Sequence, residues 1–230
     1  MSAHIVIVED EAALAANYCD ALQQRGFRVS HYADRSSAEY GLAAALPDLA
    51  IIDIGLGDDL DAGFEICRSL RARSARLPIV FLTARDADID VVSAFRLGAD
   101  DYLSKNISLV HLQARVSALL ARTAALGAEP TASSIVTQGK LTLDSERMEA
   151  RWDDDVVPLT VTEYWMVEAL ALRPGHVKTR QQLMEAASTV LDDSTITSHI
   201  KRIRRKFEQI DAQFGAIETA YGMGYRWLSP

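Results

Sequence analysis

Five times before residue 124 a short apolar run gives way to an amphipathic segment: HIVIV and then 11 to 25, RVSHY and 35 to 46, LAIID and 63 to 73, PIVFL and 86 to 97, DDYLS and 108 to 123. Few architectures satisfy such an alternation. Parallel strands joined by helical crossovers are covered on both faces, which is why HIVIV and PIVFL are almost continuously apolar instead of alternating. The pattern predicts an α/β domain over residues 1 to 123, a doubly wound five-stranded parallel sheet with helices on both faces.

Residues 124 to 138, AALGAEPTASSIVTQ, are small and polar and predict a linker. A second domain is expected over 139 to 230. It opens with the strand-like pieces KLTLD, RMEARW and DVVPL around a turn-like DDD. In TVTEYWMVEALALRPG, Thr160 and Glu163 have capping-box spacing and Pro174-Gly175 stops the helix. Two further helical segments, at about 179 to 187 and 194 to 210, precede a hairpin in IETAYGMGYRWL.

With 49% hydrophobic and 24% charged residues among 230, the chain has enough apolar side chains for two cores. No run approaches the roughly 18 apolar residues of a membrane span, and the N-terminus lacks the order of a signal peptide, so a cytoplasmic protein with no membrane partner is expected. Cys19 and Cys67 fall in helix-like segments and read as buried thiols. The net charge is -8, with acid exceeding base in both halves, so any nucleic-acid site has to be local.

The first strand runs straight into Glu9, Asp10 and Glu11, and the third ends on Asp53. Ligands of open parallel sheets bind at the carboxyl ends of the strands. Glu9, Asp10 and Asp53 meeting on one edge repel one another unless a hard cation neutralises them, and a small oxygen-ligated site suits Mg²⁺. Thr83 in FLTAR and Lys105 in DDYLSK end the fourth and fifth strands, where a hydroxyl and an ammonium suit the oxygens of a phosphoryl group on Asp53. Alone, each residue has an ordinary explanation as a cap, a turn residue or a solvated lysine. Together they make a phosphoryl-transfer site.

In STITSHIKRIRRKFEQI, Ile196, Ile200, Ile203 and Phe207 form one apolar stripe, and Ser194, Ser198, Lys201, Arg202 and Arg205 fall opposite it without one acid. Solvated helix faces ordinarily mix both signs, so this face reads as a nucleic-acid contact.

VEDEA, the Asp of LAIIDIGL, FLTAR and GADDYLSK follow one another as in the receiver domain of two-component response regulators, which the chain resembles. LTVTEYWMVEAL, TITSHIKRIRRKF and YGMGYRW resemble the winged-helix output domain of the OmpR/PhoB subfamily. The resemblance implies a flavodoxin-like receiver followed by a winged helix-turn-helix α+β domain. It implies a DNA-binding transcription regulator whose Asp53 accepts a phosphoryl group from a sensor histidine kinase, not an enzyme. It further implies Mg²⁺ held by Glu9, Asp10, Asp53 and the Gly55 carbonyl, and a switch formed by Thr83 and Tyr102. Promoter DNA, RNA polymerase and a phosphorylation-favoured homodimer are the implied partners.

With the basic helix in the major groove, Lys201 and Arg202 are placed to reach guanine and Ser198 a base edge, while Thr195, His199, Arg204 and Arg205 suit the DNA backbone. Gly222 and Gly224 permit a tight wing turn next to Arg226, with Tyr221 where the subfamily commonly has arginine. Family dimers use three ion pairs; Asp101 with Arg115 and Asp100 with Arg122 match two, whereas Val91 and His111 replace the third. Other departures are the loop GLGDDLDAG, about two residues longer than usual and without proline, and Asn106 after Lys105 in place of proline. These leave a phosphorylation-independent regulator as an alternative. An aspartyl-phosphate hydrolase is a further one, though Gly55 stands where such enzymes place their second acid.

Overall fold

The computed structural model describes residues 2–85, 90, 93, 94, 97–124, 135–187 and 193–228, with the side chains of 122, 124 and 193–195 excepted. The chain divides into two compact units, Met1–Ala121 and Arg122–Pro230.

In the first unit, β1 (His4–Val8), β2 (Arg28–Tyr32), β3 (Leu49–Ile52), β4 (Ile79–Thr83) and β5 (Asp101–Ser104) form one sheet in the order β2-β1-β3-β4-β5. Every pairing is parallel. The three central strands are buried almost throughout, whereas β2 and β5 at the edges admit polar residues such as Ser30, His31 and Ser104. Three described helices connect them, α1 (Ala12–Gln24), α2 (Arg35–Ala44) and α3 (Ala62–Arg73), and α4 (Leu109–Ala124) follows β5. Asp34 caps α2 by accepting from the Ser37 amide at 2.8 Å. Of the segment 86 to 97, residues 90, 93, 94 and 97 are helical and the rest lie outside the described residues, Val91 among them.

One face of the sheet buries Ile5, Ile7, Leu49, Ile51, Val80 and Leu82 against Tyr18 and Leu22 of α1 and Leu112 and Val116 of α4. Near the end of β3, α3 comes so close that a Cβ on Gly63 would lie 2.1 Å from the Asp53 carbonyl oxygen. Glycine at 63 is what lets the helix start there, and the Gly63 amide donates to the Ile54 carbonyl at 2.8 Å.

The second unit begins earlier than the sequence predicts. β6 (Ile135–Gln138), within the expected linker, pairs antiparallel with β7 (Leu141–Asp144), which continues to β8 (Glu149–Trp152) and β9 (Asp155–Val157). Domain two thus includes residues 135–138, and the described helix α4 runs to Ala124. Asp153 and Asp154, both at positive φ, make the two-residue turn between β8 and β9. Three helices follow, α5 (Val161–Ala171), α6 (Arg180–Ala186) and α7 (Asp193–Glu208), then the hairpin β10 (Ile217–Ala220) and β11 (Gly224–Trp227). Thr160–Glu163 and Thr179–Gln182 both complete capping boxes. Trp152, Phe207, Phe214 and Trp227 pack as an aromatic cluster, with the Phe207 and Phe214 rings stacked at 4.5 Å. Cys67 is buried and Cys19 half-buried, and neither is in a disulfide. No helix among the described residues is long and apolar enough to cross a membrane.

Candidate functional site

Four of the five strands of the first unit each deliver one group to the same edge. Glu9 follows β1, Asp53 follows β3, Thr83 ends β4 and Lys105 follows β5. Glu9, Asp10 and Asp53 each offer a carboxylate oxygen within 4.8 Å of the others. Glu9 and Asp53 are buried and Asp10 faces solvent. Lys105 Nζ lies 2.5 Å from Asp53 Oδ2 and 2.7 Å from Glu9 Oε1. Burial raises the Glu9 pKa above the ordinary carboxylate value, and Lys105 only partly opposes this. For Lys105 the balance is reversed: burial disfavours its charge, but Asp53 and Glu9 outweigh burial and raise its pKa. The ammonium therefore stays charged and is shared by two of the three acids.

The remaining ligands of Asp53 and Asp10 come from the backbone. The Ile54 amide donates to Asp53 Oδ1 at 2.7 Å, and the Gly57 amide to Asp10 Oδ2 at 2.9 Å. Gly57, at φ +60, belongs to a tight turn closed by reciprocal Leu56–Asp59 backbone bonds. The longer loop after Asp53 thereby sends Asp58, Asp59 and Asp61 into solvent, and none joins the acidic cluster. Gly55, expected to offer its carbonyl, is half-buried at the loop's start. Three hard oxygen donors with one exposed side fit a divalent cation that keeps water ligands, as Mg²⁺ does. Among the described residues no peptide bond is cis, so Lys105-Asn106 is trans and still places the ammonium on Asp53.

Thr83 is buried, and its hydroxyl accepts from the Arg85 amide at 3.2 Å. The Tyr102 hydroxyl donates to the Arg85 carbonyl. Arg85 itself escaped the sequence reading. Its guanidinium holds Asp90 at 2.9 and 2.5 Å and the Leu60 carbonyl at 2.7 Å, tying the loop after Asp53 to the loop after Thr83. FLTAR carries the signal, an arginine two residues beyond the threonine.

Of the residues expected in dimer pairs, Asp100 is wholly buried and accepts from Arg71 at 2.5 Å and from the Ile79 amide at 3.0 Å. Asp101 and Arg115 do pair, at 3.1 Å, but within one chain and largely buried. The side chain of Arg122 and residue Val91 lie outside the described residues, and His111 is exposed on α4.

In the second unit, Ile196, Ile200, Ile203 and Phe207 of α7 are buried as the stripe predicts. Thr197, Lys201 and Arg205 are exposed and Ser198 is half-buried. Four other residues expected at the DNA, His199, Arg202, Arg204 and Arg226, are buried or paired within this unit. His199 is wholly buried, and burial together with the neighbouring Arg202 charge pushes its pKa down to about 3. Arg202, with 11% of its side chain exposed, bonds Glu163 of α5. Lys206 bonds the same carboxylate at 2.6 Å. Burial by itself would raise the Glu163 pKa, but the charges of Arg202 and Lys206 hold it far below the ordinary range. Arg204 donates to the Ile217 carbonyl at 3.2 and 2.9 Å and to the Thr219 hydroxyl at 2.9 Å, pinning the hairpin onto α7. Arg226 pairs with Glu218 across the hairpin at 2.5 Å, whereas Tyr221 at its tip is 93% exposed. The side chains of Ser194 and Thr195 lie outside the described residues.

Residues 5–117 match the response regulator receiver domain family, and residues 154–227 match the C-terminal domain of transcriptional regulatory proteins. The chain is 35% identical over 222 residues to the transcriptional regulatory protein CreB of Escherichia coli K12, covering 95% of each. The chain is a response regulator of the OmpR/PhoB type. This regulator is also 34% identical over 225 residues to the sensory transduction protein RegX3 of Mycobacterium tuberculosis H37Rv, covering 96% of the chain and 97% of RegX3. Among solved structures, the regulator is similar over its whole length to DrrB, a Thermotoga maritima OmpR/PhoB homologue, at 25% identity and a TM-score of 0.52. Its fold also matches a mutant of RitR, at 22% identity and a TM-score of 0.73.

Proposed function

We propose that Asp53 is the phosphoacceptor of this regulator, with Glu9, Asp10 and Asp53 holding Mg²⁺, joined by the Gly55 carbonyl. The observation that carries the reading is the Lys105 ammonium 2.5 Å from Asp53, beside two further carboxylates. Bound Mg²⁺ supplies charge neutralisation for the transferring group. The residues of the chain do the rest. An Asp53 oxygen attacks phosphorus while the bond to the donor's imidazole breaks, with a sensor histidine kinase as donor. Lys105 and the Thr83 hydroxyl receive the phosphoryl oxygens, and Tyr102, held on the Arg85 carbonyl, follows Thr83 as the switch.

On the output side, the exposed edge of α7 enters the major groove of promoter DNA. Lys201, Arg205 and Ser198 make contacts, joined by Thr197, which the sequence reading did not select. Phosphorylation favours a homodimer on DNA that engages RNA polymerase. Mobility shift on a target promoter, with and without acetyl phosphate and Mg²⁺, tests the coupling. Tighter binding by the phosphorylated chain, absent in Asp53→Asn, supports it; equal binding in both states favours the phosphorylation-independent alternative.

A further inference from the structure

Tyr18 projects from α1 into the sheet face that carries Ile5, Ile7, Leu49 and Leu103 and is only 3% exposed. Its ring packs as any large apolar side chain would. Its hydroxyl is different: the oxygen is fully buried, and no described protein group hydrogen-bonds to it. A hydroxyl so placed disfavours the resting fold relative to phenylalanine of the same shape. Helical side chains lean back toward the start of their helix, and α1 starts directly after Glu9, Asp10 and Glu11. Burial and the fields of Glu9 and Asp53, partly opposed by that of Lys105, raise the Tyr18 pKa, so the hydroxyl stays protonated where all three charges act on it.

Lys105 has three N–H donors, of which one serves Asp53 and one Glu9. A cation held by Glu9, Asp10 and Asp53 competes for the same oxygens and repels the ammonium. Loading the site therefore has to shift the lysine head, and it needs a neutral acceptor close by. We infer that the Tyr18 hydroxyl is that acceptor: it takes one N–H of Lys105 in the cation-loaded site and leaves the others for phosphoryl oxygens. The inference rests on the reading of Glu9, Asp10 and Asp53 as the cation site. Tyr18 is a positioning residue, acting through Lys105 and touching neither cation nor phosphorus.

Mg²⁺ affinity of the full-length chain, measured by calorimetry with no phosphodonor present, tests this in the wild type, Tyr18→Phe, Lys105→Ala and the double variant. Tyr18→Phe is expected to bind Mg²⁺ about three- to tenfold more weakly, as loss of one hydrogen bond implies. The difference should vanish on the Lys105→Ala background. Without Mg²⁺, Tyr18→Phe should unfold at or above the wild-type temperature, which separates loss of the hydroxyl from damage to the core. Equal Mg²⁺ affinity in wild type and Tyr18→Phe overturns the inference. So does a deficit that persists without Lys105, or a lower unfolding temperature for Tyr18→Phe. A wild-type chain that binds no Mg²⁺ overturns the cation site itself, and this inference with it.

Discussion

Lys105 bridges Glu9 Oε1 at 2.7 Å and Asp53 Oδ2 at 2.5 Å, so one ammonium is shared between buried carboxylates at the ends of two neighbouring strands. Lys105→Ala leaves those acids facing each other. It should cost about 1 to 3 kcal/mol of stability without divalent cation, since a charged group loses its buried partner. Mg²⁺ should then raise the unfolding temperature of the variant by more than that of the wild type. An equal Mg²⁺ effect on both chains would show that lysine and cation do not share these oxygens.

Gly63 sits where a Cβ would meet the Asp53 carbonyl oxygen at 2.1 Å. Gly63→Ala has to push α3 away from β3, at a cost of about 1 to 3 kcal/mol for the overpacked contact. Because the displaced group is Asp53, labelling by acetyl phosphate should slow in protein that is still folded. Unchanged labelling kinetics would mean that the position of Asp53 tolerates the shift.

Arg202 and Arg205, three residues apart on α7, should behave oppositely. Arg202→Ala strips a buried carboxylate of a partner and is expected to destabilise the second domain by about 3 to 5 kcal/mol. Arg205→Ala should leave stability within about 0.5 kcal/mol. Its effect should fall on DNA, lowering the salt dependence by about 0.9 in the log-log slope. Trp152, Trp165 and Trp227 all lie in the second domain, so tryptophan emission during urea unfolding reports its stability alone. If Arg202→Ala is as stable as the wild type, Arg202 is free for the groove after all.

How much of this was legible beforehand differs between the two units. The parallel sheet and the acidic edge follow from apolar runs that end on named acids, because ligands of such sheets gather at the strand ends. On α7 the stripe was legible but the partners of its flanking residues were not. His199 and Arg204 lie only about 70° from the centre of the apolar stripe, close enough to be drawn into the buried sector. Lys201 and Arg202 lie about equally far from it on opposite sides, and only tertiary packing distinguishes them, because Glu163 approaches from the Arg202 side. The Arg71–Asp100 pair likewise joins residues 29 apart in sequence. β6 was hidden because IVTQ buries little by itself and gains its place by pairing with β7.

The buried His199 makes the second domain sensitive to acid. Its pKa is about 3 in the fold against 6.5 for the free side chain, so the unfolded chain binds a proton that the folded chain refuses. Stability contributed by the neutral imidazole is present above pH 6.5 and falls as pH drops from there toward 3, by up to about 1.4 kcal/mol per unit. Glu163, whose pKa is lowered, adds a second loss below about pH 4.5. Urea unfolding followed by tryptophan emission between pH 7 and 5 should show this slope, and His199→Gln should flatten it. A slope unchanged by His199→Gln would assign the proton to another group.

The central claim is that Asp53 alone accepts the phosphoryl group, and intact mass after incubation with acetyl phosphate and Mg²⁺ tests it most directly. The wild-type chain should gain one phosphoryl group. Asp53→Asn should gain none while keeping its unfolding temperature. Full labelling of Asp53→Asn would contradict the account and move the chemistry to another carboxylate, with Asp58, Asp59 and Asp61 in the adjoining loop the first to examine.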